Sequence, residues 1–454
     1  MRFRRTLSVA MAGAAAAAGI ATSVGLPTAS ARAATTSVQL PITHYSHMLV
    51  DQARQHIFFT SGNGSGSTIL VTDYAGQTVA TIPNEPGAMG LALSSDGSTV
   101  YAALANGEAV SAISTSTLTE TARYDTGAGS IPQYVAYTSG KVWFCCANGI
   151  GSIDPSTSPA TITPDAAPGL FAGVPMLAAS PDGILAAGET TSDPASVYTY
   201  DVSSGTAIPL ASKRLDAENL AFVNSMAVTP DGNDVLLTGG GPSSARVYRT
   251  SDLSADGAYR PPGAPGDLDA VSVSADGSVA VGTFALVNSV SVFAPGGSTP
   301  LNTYNFGTNW VYYDGVALTP DGSELFAVTA ATFGGAPTLN IISDPEQVAS
   351  TLSLTGPATD LRDQAITLTG TLGGTSLYTG GQTLRVTRID PANPGGVALG
   401  DVTTAADGSF SITDTPPKAN VDTGIVTYQV SYAGDVHLSA STASLSVTVH
   451  YNSS

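Results

Sequence analysis

The chain has few charged residues, since Asp, Glu, Lys and Arg make up 11% of its 454 residues. Globular domains average roughly 25%. Coiled coils and long surface helices need Glu and Lys on their exposed faces, so this composition excludes them. The charge that is present is mostly acidic and gives a net charge of −19. An acidic surface repels phosphate backbones, and we therefore expect no nucleic-acid partner.

Cysteine is also scarce, because Cys145 and Cys146 are the only two in the sequence. Adjacent Cα atoms lie about 3.8 Å apart, which is shorter than the usual disulfide range. In a strand, successive side chains point to opposite faces, so buried free thiols are the main expectation. A strained disulfide between these neighbours stays open as an alternative, because an oxidising compartment would permit it.

The familiar catalytic motifs are missing as well. The sequence contains no Gly-x-Ser-x-Gly elbow, His-Glu-x-x-His pair, P-loop or Gly-x-Gly-x-x-Gly fingerprint,. We predict no catalytic residue and no cofactor on this basis. No dense Asp-x-Asp-x-Asp loop is present either, so no metal site is predicted, and bound Ca²⁺ stays open as an alternative. These absences favour a binding protein over an enzyme, although they leave the question of activity open.

The first 33 residues have the pattern of a secretory signal peptide. Three arginines precede an apolar run over residues 7–20, and small-residue cleavage patterns end at Ala31 and Ala33,. Arg4 and Arg5 leave open whether export uses the general or the twin-arginine route. The run is too short for a typical membrane span. We expect a secreted, extracellular protein without membrane insertion, and its net charge after cleavage is −23.

A repeat of about 45 residues organises the first two thirds of the chain. An apolar strand, an Asp-Gly turn and a second apolar strand recur, with turns at or near positions 51, 96, 139, 182, 231, 276 and 321. Asp-Gly between alternating apolar runs is a strong hairpin signal, because glycine accepts positive φ. Each unit has two further strands, and four short antiparallel strands in such a repeat are typical of a β-propeller blade.

Seven turns predict seven blades, and the ends of the repeat predict how they close. The last unit has its third strand at residues 338–342, and an orphan strand at residues 37–42 precedes the first turn. We expect this N-terminal strand to complete the seventh blade, which would remove an exposed sheet edge.

The repeated Ser/Thr-Pro/Ala-Asp-Gly turns resemble those of the YVTN/lactonase-like class of seven-bladed propellers, over residues 37–345. The resemblance implies a central channel with a ligand-binding mouth, and it identifies architecture better than activity. Trp143 and Trp310 are the only tryptophans, and no Trp-Asp pair occurs. The chain is therefore not a standard Trp-Asp repeat protein.

Residues 347–454 change to a Thr- and Ser-rich alternating pattern that predicts many short strands,. Residues 428–435 are similar to the late-strand motif of bacterial Ig-like repeats. The predicted fold class is all-β: a signal peptide over residues 1–33, a seven-bladed β-propeller over residues 34–346 and a C-terminal Ig-like β-sandwich.

The loops before each innermost strand should converge on the mouth of the channel. They include Glu85, Gln133, Glu218, Asp267 and Asp269, and residues 309–314 are the richest in aromatic, amide and acidic side chains. Aromatic faces beside amides suit sugars and other amphipathic ligands. The predicted ligand-binding residues are Asn309, Trp310, Tyr312, Tyr313, Asp314, Tyr134, His44 and His47.

Two alternatives stay open for these residues. Trp310 and Tyr312 would be core if they plug the channel. His44 and His47 would be ordinary surface residues, or an acid/base pair or metal ligands, and no acidic partner lies near them in the sequence,.

These features predict a secreted, non-enzymatic binding or adhesion protein, monomeric, with an extracellular protein or polysaccharide as ligand. The propeller would be the recognition platform, and the Ig-like domain a spacer or accessory binder. A lactonase- or lyase-type propeller enzyme and a structural component of the cell envelope are the alternatives.

Overall fold

The computed structural model describes residues 20–24, 35–64, 66–147, 149–264, 267–284, 289–332, 335–361, 363–417 and 423–450, and these contain strands and turns but no helix. The chain divides into two compact units. We call residues 31–347 the repeat unit, and residues 348–454 with residues 1–30 the C-terminal unit.

The longest described strands, of 10 and 11 residues, belong to the C-terminal unit, and so does the first strand of the chain. Up to residue 343 the strands are, in chain order, β1 Ile20–Val24, β2 Thr35–Gln39, β3 His47–Asp51, β4 His56–Thr60, β5 Thr68–Asp73, β6 Thr78–Pro83, β7 Ala88–Leu93, β8 Thr99–Leu104, β9 Ala109–Ser114, β10 Thr119–Asp125, β11 Val135–Thr138, β12 Lys141–Cys146, β13 Gly149–Asp154, β14 Thr161–Ala167, β15 Pro175–Ala179, β16 Ile184–Glu189, β17 Ser196–Asp201, β18 Ile208–Arg214, β19 Val223–Val228, β20 Asp234–Gly239, β21 Ala245–Arg249, β22 Ala255–Tyr259, β23 Leu268–Val273, β24 Val279–Thr283, β25 Val290–Phe293, β26 Asn302–Tyr304, β27 Trp310–Leu318, β28 Glu324–Ala330 and β29 Thr338–Ser343. The others are β30 Thr351–Pro357, β31 Thr359–Leu361, β32 Ile366–Gly373, β33 Thr383–Asp390, β34 Asn393–Thr403, β35 Ser409–Asp414, β36 Thr423–Tyr432 and β37 Ser441–His450.

The described residues of the repeat unit form seven four-stranded antiparallel sheets. Six of them take four consecutive strands each, starting at β3, β7, β11, β15, β19 and β23. The seventh has the order β2-β29-β28-β27, so the first strand of the unit pairs with its last, from Thr35 opposite Ile342 to Gln39 opposite Thr338. This is the pairing that the orphan strand predicted, displaced by two residues at its start.

The first strands of the seven sheets, β3, β7, β11, β15, β19, β23 and β27, contact one another in succession, and β27 contacts β3. All run in the same sense, so the loops that precede them gather at one end of the unit. We call this the rim end. The second strand of each sheet is buried on both faces, as in β8, where residues 100–104 are all buried. Apolar clusters therefore lie between neighbouring sheets, such as the one that joins Phe59 of the first sheet to Phe326 of the seventh.

The Asp-Gly turns end the first strands at the opposite end from the rim. In one of them, Asp96 Oδ1 accepts hydrogen bonds from Ser94 Oγ at 2.6 Å and from the Ser98 amide at 2.9 Å. Gly97 has a φ of +67°, which a residue with a side chain adopts with strain,. The same arrangement recurs at Asp231, Asp276 and Asp321. The structure thus uses these repeated residues as turns.

The C-terminal unit has two sheets, with the orders β1-β30-β32-β35 and β31-β37-β36-β33-β34. Burial alternates along several of its strands, and in β37 every second side chain is buried and those between are mostly exposed. Leu352 and Leu368 from one sheet and Val430 and Val447 from the other belong to a single core cluster. The two sheets therefore face each other across one apolar layer.

Part of the predicted signal peptide is paired with this unit. Ile20–Val24 forms an edge strand antiparallel to β30, with Val24 opposite Ser353. Residues 1–19 and 25–34 lie outside the described residues, and the signal peptide stays a prediction.

Candidate functional site

Four of the seven first strands bulge near the rim end. An extra residue interrupts the pairing at Asn224 in β19 and at Asp269 in β23, and β7 has two residues, 89 and 90, opposite one. The largest interruption is in β27, where residues 312–315 stand opposite Val328 alone. Bulges turn side chains away from their regular alternation, and they often re-aim side chains next to functional sites.

Two residues of the β27 bulge, Asp314 and Gly315, suit its backbone conformation. Asp314 has a φ of +52°, a conformation that Asp tolerates better than most residues,. A side chain at Gly315 would lie 2.7 Å from the carbonyl oxygen of Tyr312, so glycine is required there. The bulge leaves Tyr313 exposed, and the Tyr312 hydroxyl donates to the Gly335 carbonyl.

A cavity of about 340 Å³ lies at the rim end beside this bulge. Its lining combines six aromatic rings with a few polar side chains: His44, Tyr45, Ser46, Tyr134, Asp269, Phe284, Trp310, Val311, Tyr312, Tyr313, Ala330 and Thr332. The rings of Phe284 and Trp310 are 4.6 Å apart, and those of Tyr45 and Tyr312 are 5.2 Å apart. We call this cavity the aromatic pocket.

The structure brings five of the eight predicted ligand-binding residues into the aromatic pocket, namely His44, Tyr134, Trp310, Tyr312 and Tyr313. Trp310 and Tyr312 are half-buried, so neither is a fully buried channel plug. Asn309, His47 and Asp314 are not among the lining residues.

His47 and Asp314 pair with each other instead. His47 Nδ1 lies 2.6 Å from Asp314 Oδ2, so the histidine has the acidic partner that was not visible near it in the sequence. Asp314 Oδ1 accepts a hydrogen bond from Ser225 Oγ at 2.7 Å, and its backbone carbonyl accepts one from the Tyr45 hydroxyl at 2.7 Å. These contacts join three first strands across the centre of the repeat unit.

The order of the three side chains in this network excludes catalysis by a serine nucleophile. A serine nucleophile needs a histidine between itself and the carboxylate, because the histidine must take its proton. Here Asp314 stands between Ser225 and His47, and Ser225 is fully buried. The network is therefore not a Ser-His-Asp triad, whereas the carboxylate does orient the His47 ring.

Asp269 is the feature of the pocket that the sequence did not single out as a binding residue. It is 1% exposed, and neither carboxylate oxygen has a hydrogen-bond partner among the described residues. Burial raises the pKa of its carboxyl to about 8, and repulsion from Asp267 adds to the shift. Buried polar side chains are nearly always hydrogen-bonded, so an unpaired carboxyl facing a cavity is a candidate ligand contact.

Other lining residues were missed for different reasons. Tyr45 lies between the two predicted histidines, so its position in the same loop was a usable signal. Phe284 comes from the loop after a second strand, β24, where the repeat pattern marks no binding position.

The two cysteines are free thiols in the structure. Cys145 is buried, and its Sγ accepts hydrogen bonds from the backbone amides of Gln133 and Tyr134 at 3.1 and 3.0 Å. Burial raises the pKa of this thiol to about 12, so it is a poor nucleophile,. Cys145 therefore supports the loop that carries Tyr134, and Cys146 is half-buried.

No family model matches the chain, and no curated protein matches it. Among solved structures, the β-propeller domain of Cps50 (Swd1) from Myceliophteria thermophila is 13% identical, with a TM-score of 0.51 over 68% of this chain and 99% of that one. Hydrazine synthase from Kuenenia stuttgartiensis is 16% identical, with a TM-score of 0.49 over 67% and 97% of the two chains. YCF48 bound to D1 peptide is 14% identical, with a TM-score of 0.49 over 68% and 96%.

The likeness to the Cps50 domain shows the fold alone: the chain contains a β-propeller. Among the described residues, no helix is long and apolar enough to cross a membrane.

Proposed function

We propose that the protein is a secreted, monomeric binding protein without enzymatic activity. In this proposal the repeat unit is a closed seven-bladed propeller that recognises an extracellular protein or polysaccharide at its rim end. The C-terminal unit is an Ig-like sandwich that serves as a spacer or accessory binder. Residues 1–33 are the signal peptide that directs export and is removed from the mature protein.

The aromatic pocket is the observation that carries this proposal. Ligand sites are usually concave and mostly apolar, with a few polar groups that fix orientation. The pocket has this composition, because six rings surround the carboxyl of Asp269 and a few hydroxyl groups. Aromatic side chains supply large contact area at low entropic cost, and they dominate many binding sites.

The test is retention of ligands by purified protein lacking residues 1–33. Cell-wall fractions, polysaccharides and secreted proteins would be offered to the unsubstituted protein and to Trp310→Ala. Loss of the aromatic surface should weaken the binding of a retained ligand by about 1–3 kcal/mol. Phe222→Ala is the matched control, because Phe222 is an exposed ring in the loop before β19 and does not line the pocket. Equal losses in both variants would remove the pocket from the proposal.

A lactonase- or lyase-type enzyme is the second candidate, and the His47–Asp314 pair favours it. A carboxylate on Nδ1 leaves Nε2 free to act as a general base. A panel of lactones, with and without EDTA, tests this function, and His47→Gln should abolish any turnover. Unchanged turnover in His47→Gln would exclude the pair as the source of activity.

A further inference from the structure

We propose that the aromatic pocket binds a small organic ammonium group, with Asp269 as its counter-ion and the surrounding rings as its cage. This inference rests on the proposed function, because it assumes that the pocket is the binding site, and it adds the chemical class of the ligand.

Asp269 supplies an unpaired, buried carboxyl to the pocket. Asp269 lies in the β23 bulge, is 1% exposed and lines the pocket with no partner for either oxygen among the described residues. A polar group without a hydrogen bond or counter-charge is costly to bury. A cationic ligand supplies that partner, and a fully apolar ligand would leave the cost in place.

Six aromatic rings line the same pocket as this carboxyl. Tyr45 and Tyr312 form one contacting pair, Phe284 and Trp310 form another, and Tyr134 and Tyr313 complete the aromatic lining. The faces of aromatic rings attract cations, and cages of Trp, Tyr and Phe are a known way to bind ammonium groups. The pocket therefore combines two features that each favour a positive charge.

The polar side chains of the pocket are poorly suited to binding a sugar. Recognition of several hydroxyl groups needs multiple directional donors and acceptors, often amides. The described lining has no Asn, Gln, Lys or Arg, and its polar side chains other than Asp269 are His44, Ser46, Thr332 and tyrosine hydroxyls. Asn309, the amide expected there from the sequence, does not line the pocket. The polar groups suit one cation better than a chain of hydroxyls.

We expect binding of the ammonium group to release the proton from the carboxyl of Asp269. Since burial raises the pKa of Asp269 to about 8, the empty pocket holds the protonated acid near neutral pH. A bound ammonium group stabilises the carboxylate, and the carboxyl proton leaves to solvent. The ionisable groups near Asp269 are Asp267 and Tyr313, with which it interacts electrostatically, and four others that line the same pocket, namely His44, Tyr45, Tyr134 and Tyr312.

Calorimetric titration of the purified protein tests the proposal with three probes. Choline represents a quaternary ammonium group, and the amide of α-N-acetyl-lysine represents a primary one. The third probe is the uncharged analogue of choline, in which carbon replaces nitrogen. We expect at least one cation to bind on the order of tenfold or more tightly than the uncharged analogue. The cation that binds more tightly then shows whether the pocket prefers a quaternary or a primary ammonium group.

Two variants and a pH series complete the experiment. Asp269→Asn should weaken cation binding on the order of tenfold or more, and Asp267→Asn, which changes an exposed neighbour, should have a smaller effect. In the unsubstituted protein, cation affinity should rise on the order of 10- to 100-fold between about pH 6 and about pH 9, since the carboxyl must ionise. This series does not depend on the variants, so it also tests the proposal if Asp269→Asn fails to fold.

The outcomes separate this inference from the proposed function. Equal binding of the cations and the uncharged analogue, or cation binding that does not change with pH, would overturn the ammonium proposal. If no probe binds but another ligand is retained in a Trp310-dependent way, the ammonium class is wrong and the binding function holds. If no probe binds and nothing depends on Trp310, both are wrong.

Discussion

The repeat unit and the C-terminal unit bury their strands differently. In β8 of the repeat unit, five consecutive residues are buried, because a sheet lies against each face. In β37 of the C-terminal unit, buried and exposed residues alternate, because only one face meets the core. The alternating strands of the C-terminal unit are also longer, since β36 and β37 span 10 residues each. One chain therefore contains two kinds of all-β unit, which differ in whether their strands bury both faces or only one.

Two buried charges of the molecule, Arg388 and Asp269, lie in different surroundings. In the C-terminal unit, Arg388 is 8% exposed and donates to Asp390 at 2.7 Å and to Asp414 at 2.8 Å. In the repeat unit, Asp269 is buried without such a partner among the described residues. Proteins depart from the rule of satisfied polar groups mainly at functional sites. The paired cluster therefore serves stability, whereas Asp269 marks the candidate site because its unpaired carboxyl also lines a cavity.

We expect the largest effect from deletion of β2, the N-terminal strand of the repeat unit. A chain that begins at residue 40 lacks β2, which completes the seventh sheet of the repeat unit. Its removal exposes the edge of β29, so we expect the repeat unit to aggregate or to lose its cooperative melting transition. Differential scanning calorimetry measures this result.

A chain that begins at residue 34 is the control for this truncation. It keeps β2 and lacks β1, which pairs with β30 at the edge of the C-terminal unit. We expect both units to melt cooperatively in this chain. If the chain beginning at residue 40 melts in the same way, β2 is dispensable and the ring is not closed by it.

The second prediction concerns the buried charge of the C-terminal unit. Arg388→Ala leaves Asp390 and Asp414 without their cation, and breaking a buried ion pair in this way costs about 3–5 kcal/mol. Chemical denaturation should show this loss in the C-terminal unit alone. Arg385→Ala is the matched control, because Arg385 is exposed on the same strand, and it should cost less than about 0.5 kcal/mol,. Similar losses in both variants would mean that the pairing contributes little.

The fold was predictable to the extent that it is encoded locally. The Asp-Gly turns and the alternating apolar runs depend on neighbouring residues, so the seven repeated sheets and the orphan strand could be read from the sequence. The clustering of Trp310, Tyr312 and Tyr313 near the rim end was predictable for the same reason.

The rest of the site depends on contacts that are distant in the sequence. His47 and Asp314 are 267 positions apart, and Ser225 is 89 positions from Asp314. The bulges at Asp269 and at residues 312–315 arise from pairing between strands, and no short motif specifies them. The sequence therefore placed Asp269 on the rim but did not predict that it would be buried and unpaired.

The third prediction tests the unpaired carboxyl through stability. Because the folded pKa of Asp269 is raised, the protein loses stability as pH rises from the unfolded pKa near 4 through about 8,. Asp269→Asn removes this penalty, so it should stabilise the repeat unit by on the order of 2–4 kcal/mol at about pH 9. The difference should vanish below about pH 3, where the carboxyl is protonated in both states.

Thermal melting across this pH range gives the measurement, with Asp267→Asn as the control. Asp267 is exposed, and its Oδ1 accepts a hydrogen bond from the Gly241 amide at 3.0 Å, so its replacement should not stabilise the protein in this way. A pH-independent effect of Asp269→Asn would show that shape, and not charge, decides its contribution.

The smallest expected effect concerns a single turn of the repeat unit, where polar groups are satisfied locally and not by a buried ion pair. Asp231 accepts hydrogen bonds from Thr229 Oγ1 at 2.7 Å and from the Asn233 amide at 3.1 Å, and these bonds lower the pKa of its carboxyl. Asp231→Ala should cost about 0.5–1.5 kcal/mol near neutral pH. This loss should shrink as pH falls through the lowered folded pKa, because the protonated acid is a weaker acceptor.

Asp182→Ala is the matched control for this turn, since Asp182 precedes a glycine in the same Pro-Asp-Gly sequence but accepts no hydrogen bond from the described residues. Urea denaturation of both variants near neutral pH and near pH 2 compares them. We expect a measurable loss for Asp231→Ala and less than about 0.5 kcal/mol for Asp182→Ala. Equal, pH-independent losses would mean that aspartate stabilises these turns through its backbone preference, and that the side-chain hydrogen bonds of the repeat contribute nothing.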